Sequence, residues 1–228
     1  MEDALYKRSN LARLPELQKL VPEAAKTYYR FMDQAFEPRV LSVHTKELIA
    51  VAVAHVTGCP YCIDVHVGKF KGQQGTAQEI AEAVLAASVI QAETVMLHGT
   101  NALAAFQGAR EDSLYPPMTA EAIAGLRGLS PETFESFDRF TDQALAGGAV
   151  DDRTKALIAV IIAHAVGCAY SIEQHTRRFA GLGGTREEIA EGVVVGGAVN
   201  AGYVLVHGVH ALEAFDKVTV QTPPSASF

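Results

Sequence analysis

Hydrophobic positions along the chain form compact runs separated by polar turns, with no alternation of the kind that marks a half-buried strand. The most apolar runs are Leu48–Gly58 and Ala156–Ala169. Each falls short of the ~18 residues that a membrane-spanning helix needs, and each contains histidine. The pattern therefore predicts an all-α protein with no transmembrane helix.

Capping residues indicate where the predicted helices begin and end. Thr45 is predicted to cap a helix that runs through the first apolar stretch and ends at Gly58. A second helix is predicted to start at Cys59-Pro60, because proline at the first helical position has no N–H to leave unpaired. Thr76 and Glu79 have the spacing of a capping box and predict the start of a third helix, which is rich in small residues.

The chain contains an internal repeat. Segments 45–106 and 154–215 align at an offset of 109 residues, and nearly half of the aligned positions are identical. Two copies of one helical unit explain this similarity. The sequence predicts two tandem helical repeats, joined through Gln107–Met118, with these bounds: 1–108, 118–217 and a tail at 218–228.

Composition narrows the function classes. The 228 residues are 49% hydrophobic and 20% charged, enough to build a sizeable core. The net charge of -7 argues against binding to nucleic acid or to an anionic membrane surface. The polar start of the chain predicts no signal peptide, and three cysteines are too few for a secreted disulfide scaffold. We expect a cytoplasmic protein.

The two repeats differ at reactive side chains while their apolar framework is nearly unchanged. The first repeat has Glu47, Cys59, Cys62 and His66. The aligned residues of the second repeat are Ala156, Cys168, Ser171 and His175. One carboxylate and one thiol are missing from the second repeat, so we expect one working site. The second repeat is expected to supply packing and one wall of the first pocket, but no chemistry.

Helix spacing assigns different roles to the two thiols. Cys62 and His66 are four residues apart and so share one helix face, whereas Cys59 is seven residues from His66. The base-assisted thiolate is therefore Cys62, with Cys59 as its resolving partner. Glu47 lies ~18 Å from Cys59 along a continuous helix. A turn at Gly58 would instead fold it back towards His66, where a carboxylate could orient the ring.

A zinc site is the alternative interpretation of these residues. Cys59, Cys62 and His66 supply three ligands, but a closed site needs a fourth and none has suitable spacing. No metal and no bound cofactor are predicted.

The pattern of Glu47, eleven residues, Cys59-Pro60-Tyr61-Cys62, three residues and His66 resembles the alkylhydroperoxidase D-like branch of the carboxymuconolactone decarboxylase superfamily. The resemblance covers both repeats. It implies an all-helical fold, assembly into trimers or hexamers of repeats, and a thiol peroxidase cycle. In that cycle Cys62 attacks the peroxide, Cys59 resolves the product, and Glu47 with His66 relays the proton. The best-known peroxidase of the family has histidine where this chain has Tyr61.

The expected activity is reduction of a hydroperoxide through the dithiol of Cys59 and Cys62. An external thiol reductant, a lipoyl protein or a thioredoxin-like protein, would complete the cycle, or a peroxiredoxin would act as partner. We expect a homotrimer, because the helices leave more apolar surface than two repeats can cover. Two alternatives remain: a cofactor-independent decarboxylase or lactone-handling enzyme, and a non-catalytic redox-sensing oligomer.

Overall fold

The computed structural model describes residues 6–108 and 119–218. Within these two ranges the regular elements are all helices and no strand occurs, which confirms the predicted fold class. Most of the predicted connection Gln107–Met118 and nearly all of the predicted tail 218–228 lie outside the described residues.

Each repeat is built from five α-helices. The first repeat has a 3₁₀ helix at Arg8–Arg13, then α1 Leu14–Leu20, α2 Pro22–Phe36, α3 Val43–Val56, α4 Pro60–Gly72 and α5 Ala77–Phe106. The second has α6 Ala120–Gly128, α7 Pro131–Leu145, α8 Asp152–Ala165, α9 Ala169–Gly181 and α10 Arg186–Lys217. The last four helices of each repeat begin at equivalent positions.

The α3–α4 hairpin follows from local caps. The side chain of Ser42 accepts the N–H of Thr45, so α3 begins at Val43 and the prediction that Thr45 caps it is wrong. Gly58 ends the hairpin's first arm at φ 65°, a left-handed conformation that glycine adopts without steric cost. Cys59 then caps α4 in extended conformation. The turn returns α4 along α3, as the sequence predicts.

Helices α3 and α8 form the centre of the molecule. They pack on each other and on both long helices, α5 and α10. Nine consecutive residues of α3 are buried, and so are the nine equivalent residues of α8. A helix surrounded on all sides buries apolar residues all round, which explains the runs seen in the sequence.

Each long helix crosses into the other repeat. Helix α5, from the first repeat, packs on α6, α7, α8 and α9, whereas α10 packs on α1 to α4. Two buried ion pairs fix these crossings: Lys46 Nζ lies 2.9 Å from Glu191 Oε2, and Lys155 Nζ lies 2.9 Å from Glu82 Oε2. The repeats therefore share one core, and each receives residues from the other.

Helices α5 and α10 bear on the prediction that the protein has no transmembrane helix. By length and composition alone, α5 and α10 could each cross a membrane, although the most apolar runs of the sequence lie elsewhere. Their inner faces pack in the shared core, and about a third of each apolar window is buried. Core helices of water-soluble proteins pass the same test.

Candidate active site

The two cysteines of the first repeat lie at the start of α4. The Cys59 sulfur accepts the backbone N–H of Cys62 at 3.1 Å, so the first cysteine is also the helix cap. The two residues are joined in a disulfide, with their Cα atoms 5.3 Å apart, a separation typical of disulfides.

His66 and Glu47 meet across the α3–α4 hairpin. The Nδ1 atom of His66 lies 2.7 Å from Oε2 of Glu47, and both side chains are buried. Because an ionised carboxylate only accepts hydrogen bonds, Nδ1 is the donor in this contact, and Glu47 does not engage Nε2. Phe36 stacks on the ring at a centroid distance of 5.6 Å and limits its rotation. The structure thus brings all four predicted site residues into one neighbourhood.

A mostly apolar cavity of about 250 Å³ opens beside this group. Cys62 and His66 line it, whereas Cys59 is fully buried and does not. One wall comes from α10 of the second repeat and includes Val206, as expected from the sequence. Gly202 is also part of that wall, and a Cβ there would lie 2.7 Å from the Tyr28 hydroxyl.

Tyr61 connects the dithiol to the second repeat. Its hydroxyl accepts a hydrogen bond from Asn10 Nδ2 at 2.9 Å and lies 3.2 Å from His210 Nε2. The nearby His207 has a lowered pKa, because burial and repulsion from His210 both disfavour its charged form. Sequence reasoning missed this contact. The available signal was that His210 aligns with asparagine in the first repeat.

The equivalent place in the second repeat holds a different set of groups. Cys168 caps α9 and forms no disulfide, and Ser171 stands where a second thiol would be needed. The sequence predicts no orienting acid here, and that prediction is wrong. His175 Nε2 lies 2.6 Å from Oε2 of Glu93, which belongs to α5 of the first repeat. The lost carboxylate at Ala156 is replaced from the other repeat.

Metal-ligating side chains do not gather elsewhere in the two described ranges. Within residues 6–108 and 119–218, no three histidine, cysteine or acidic side chains are grouped so that they could hold a metal ion. The three ligands considered for zinc include two cysteines that are bonded to each other in this structure.

Fold and site define a class of protein: an all-α tandem repeat with a Cys-x-x-Cys disulfide beside a buried histidine–carboxylate pair. The chain belongs to the carboxymuconolactone decarboxylase family, whose model matches residues 22–105 and 131–214. Both matches fall within the two repeats.

Two individual proteins are similar to the chain, one over a short segment and one at low sequence identity. "Uncharacterized protein 4 in cox locus" of Paracoccus denitrificans is 44% identical over 69 residues, covering 30% of this chain and 62% of that protein. The match therefore spans less than two thirds of that relative. A crystal structure of a "putative gamma-carboxymuconolactone decarboxylase subunit" of Burkholderia xenovorans LB400 superposes with a TM-score of 0.66. It is 21% identical, over 92% of this chain and 96% of the other, and so shows the shared fold.

Proposed function

We propose that the protein is a thiol-dependent peroxidase that reduces hydroperoxides through Cys59 and Cys62. The observation that carries the proposal is the unequal placement of the two sulfurs. Cys62 lines the cavity beside His66, whereas Cys59 is fully buried behind it and caps α4. A peroxide in the cavity meets Cys62 first. The family includes both alkylhydroperoxidase D-like peroxidases and decarboxylases.

The reaction balances with these groups alone and an external reductant. The Cys62 thiolate attacks one peroxide oxygen, the O–O bond breaks, and the alcohol leaves with a proton relayed by His66, which Glu47 holds in place. Cys62 is then a sulfenic acid. The Cys59 thiol gives up its proton and attacks that sulfur, the S–O bond breaks, and the hydroxide takes up the proton and leaves as water, which leaves the Cys59–Cys62 disulfide. An external dithiol returns two electrons and two protons.

The surroundings suggest the partners of this cycle. The cavity is mostly apolar, which favours organic hydroperoxides with a hydrocarbon group. The reductant would be a lipoyl protein or a thioredoxin-like protein, with a peroxiredoxin as the alternative partner. The proposed location is the cytoplasm, where such thiol reductants are available.

Peroxide consumption by wild type and three cysteine variants tests the proposal, with dihydrolipoamide and thioredoxin tried as reductants. Cys62→Ser should abolish reaction with peroxide. Cys59→Ser should allow one oxidation and stop at the sulfenic acid or a mixed disulfide, seen by mass spectrometry after one equivalent of peroxide. Cys168→Ala is the matched control and should keep full turnover, because this thiol is buried and forms no disulfide. The reverse behaviour of the first two variants would contradict the assignment.

A cofactor-independent decarboxylase is the second candidate. The observation favouring it is the description of the Burkholderia xenovorans protein, together with a histidine–carboxylate pair that could move protons without a thiol. In that case Cys62→Ser would leave activity on a lactone acid intact. A non-catalytic redox sensor would form a sulfenic acid but show no turnover with a dithiol.

We further propose that the chain assembles as a homotrimer. Both long helices present apolar side chains to solvent at equivalent positions of the two repeats: Leu85 and Val194, Val95 and Val204, Phe106 and Phe215. Phe106 is 90% exposed and Phe215 is 79% exposed. Apolar surface at these paired positions is best explained by contact with other copies of the chain.

A further inference from the structure

The second repeat has a cavity at the place equivalent to the dithiol cavity. It measures about 130 Å³. Three of its lining residues, Ile123, Phe137 and Met96, occupy the positions that Leu14, Tyr28 and Leu205 occupy in the first cavity. The cavity is therefore the structural equivalent of the dithiol cavity, although no cysteine lines it.

Glu93 brings a carboxylate to the wall of this cavity. The carboxylate lines the cavity and is 8% exposed. Gln174 Nε2 donates to its Oε1 at 2.7 Å, and His175 Nε2 lies 2.6 Å from its Oε2. The other ring nitrogen of His175 is buried and has no hydrogen-bond partner. Each carboxylate oxygen of Glu93 therefore has one side-chain partner and keeps a further lone pair for a ligand in the cavity.

The other charged side chain of the cavity wall has an acidic partner of its own. Arg127 also lines the cavity, but both of its terminal nitrogens lie 2.7 Å from the carboxylate oxygens of Asp138. The remaining wall is mainly apolar and includes Phe134 and Leu126. A ligand entering this space therefore meets hydrocarbon on most sides, the Glu93 carboxylate at one point, and at another the guanidinium of Arg127, which is already paired with Asp138.

We propose that the second repeat binds a small organic cation, an apolar group of about one ring bearing a protonated amine that donates to Glu93. The size follows from the cavity, since an apolar cavity of roughly 150 Å³ accommodates benzene. The charge follows from Glu93, because an ammonium forms strong charge-assisted hydrogen bonds to a carboxylate. An organic anion would instead be repelled. The site uses no thiol, so it stands independently of the peroxidase proposal.

Methyl NMR of the full-length protein tests the proposal with three probes of one shape: benzylamine, benzyl alcohol and benzoate. Ile123 lines the proposed site, whereas Ile63 packs beside the dithiol. Benzylamine should shift the Ile123 methyl signals saturably and leave those of Ile63 in place. Benzyl alcohol should bind more weakly, and benzoate should not bind at this site.

Variants separate charge from shape. Glu93→Gln should weaken benzylamine binding by about tenfold, because the ammonium loses its ionic partner. Met96→Phe should block binding by filling the cavity while the charge remains, and it decides the question if Glu93→Gln does not fold. Asp33→Asn, an equivalent change of an acid lining the other cavity, should leave the Ile123 shift unchanged.

Three results would each overturn the proposal. They are an Ile123 shift with benzoate stronger than with benzylamine, equal benzylamine affinity in Glu93→Gln, and no Ile123 shift with benzylamine in the folded wild type.

Discussion

Glu82 joins α5 to the second repeat, and its substitution should show how strongly the two repeats depend on each other. Its carboxylate accepts the backbone N–H groups of Ala149 and Val150 at 2.9 and 3.0 Å and pairs with Lys155. Lys155 is 3% exposed, and its only other acceptor among the described residues is the Ala146 carbonyl. Glu82→Gln removes the ionic partner of a buried ammonium.

The expected cost follows from that burial. An uncompensated buried charge costs about 3–5 kcal/mol, and glutamine still offers one acceptor, so we expect a loss of about 3 kcal/mol at pH 7. For a chain of this size the loss corresponds to a melting temperature lower by roughly 6–12 °C. The double variant Glu82→Gln/Lys155→Met should recover part of the loss, since it leaves no unpaired charge. Glu135→Gln, in the exposed pair with Arg139, should stay within about 0.5 kcal/mol of wild type.

The pH dependence gives a second test. Desolvation acts to raise the pKa of Glu82, but hydrogen bonds from Val150, Lys155 and Ala149 outweigh it and hold the pKa at about 2, below the ordinary 4.5. A lowered carboxyl pKa contributes stability above the unfolded value, and that stability is lost as the pH falls through the folded value. The gap between wild type and Glu82→Gln should therefore be widest above about pH 5 and narrow towards pH 2. Thermal unfolding at fixed protein concentration measures both effects. A gap below 0.5 kcal/mol at pH 7, or one that persists unchanged at low pH, would refute this reasoning.

Three further predictions concern the sites and the assembly. Glu47→Gln should lower peroxide turnover by about 10²-fold while Glu93→Gln leaves it unchanged, because only the first carboxylate orients the histidine beside the dithiol; equal effects in steady-state assays would contradict this. Ser171→Cys should close a second disulfide with Cys168, whose backbone angles (φ -95°, ψ 103°) nearly match those of Cys59 (φ -97°, ψ 99°). Thiol titration of the oxidised variant should then find no free thiol, and two free thiols would show that the second hairpin does not allow the bond. Light scattering should give three times the chain mass of 24.3 kDa, and replacing both exposed phenylalanines of the long helices by lysine should give monomers, whereas a monomeric wild type would contradict the trimer.

Local signals in the sequence were enough to predict the fold class, the turn at Gly58 and the approach of Glu47 to His66. The capping box at Thr76 and the helix break at Gly58 are encoded within a few residues, and both occur in the structure. The contact of His66 with Glu47 could be predicted because one tight turn joins their helices, so spacing along the chain determines their approach. Thr45 was mistaken for a cap because Ser42, one turn earlier, offers the same hydroxyl chemistry.

Contacts between the repeats could not be predicted in the same way. Aligning the two copies compares each residue only with its equivalent, whereas α5 and α10 deliver their residues to the opposite repeat. Glu93 aligns with Gly202, but the alignment alone does not show that Glu93 contacts His175 of the other repeat. The same holds for His210 beside Tyr61, since 149 residues separate them in the chain.

The two cavities use complementary residues at equivalent positions. In the first, the space beside Gly202 is occupied by the hydroxyl of Tyr28, which a Cβ at position 202 would meet at 2.7 Å. In the second, the residue equivalent to Tyr28 is Phe137, which has no hydroxyl, and the residue equivalent to Gly202 is Glu93. Because Phe137 lacks the hydroxyl that would clash with a side chain at this position, the second cavity has room for Glu93 on the facing helix.

The two histidines engage their acids through opposite ring nitrogens, and this determines how the second site could be changed. His66 meets Glu47 through Nδ1, whereas His175 meets Glu93 through Nε2. An acid introduced at Ala156 would approach the unpartnered Nδ1 of His175 while Glu93 still holds Nε2. Two buried carboxylates on one imidazole cannot both be neutralised, because the ring carries at most one positive charge. Recreating the first site in the second repeat therefore requires the removal of Glu93 as well as the addition of an acid and a thiol.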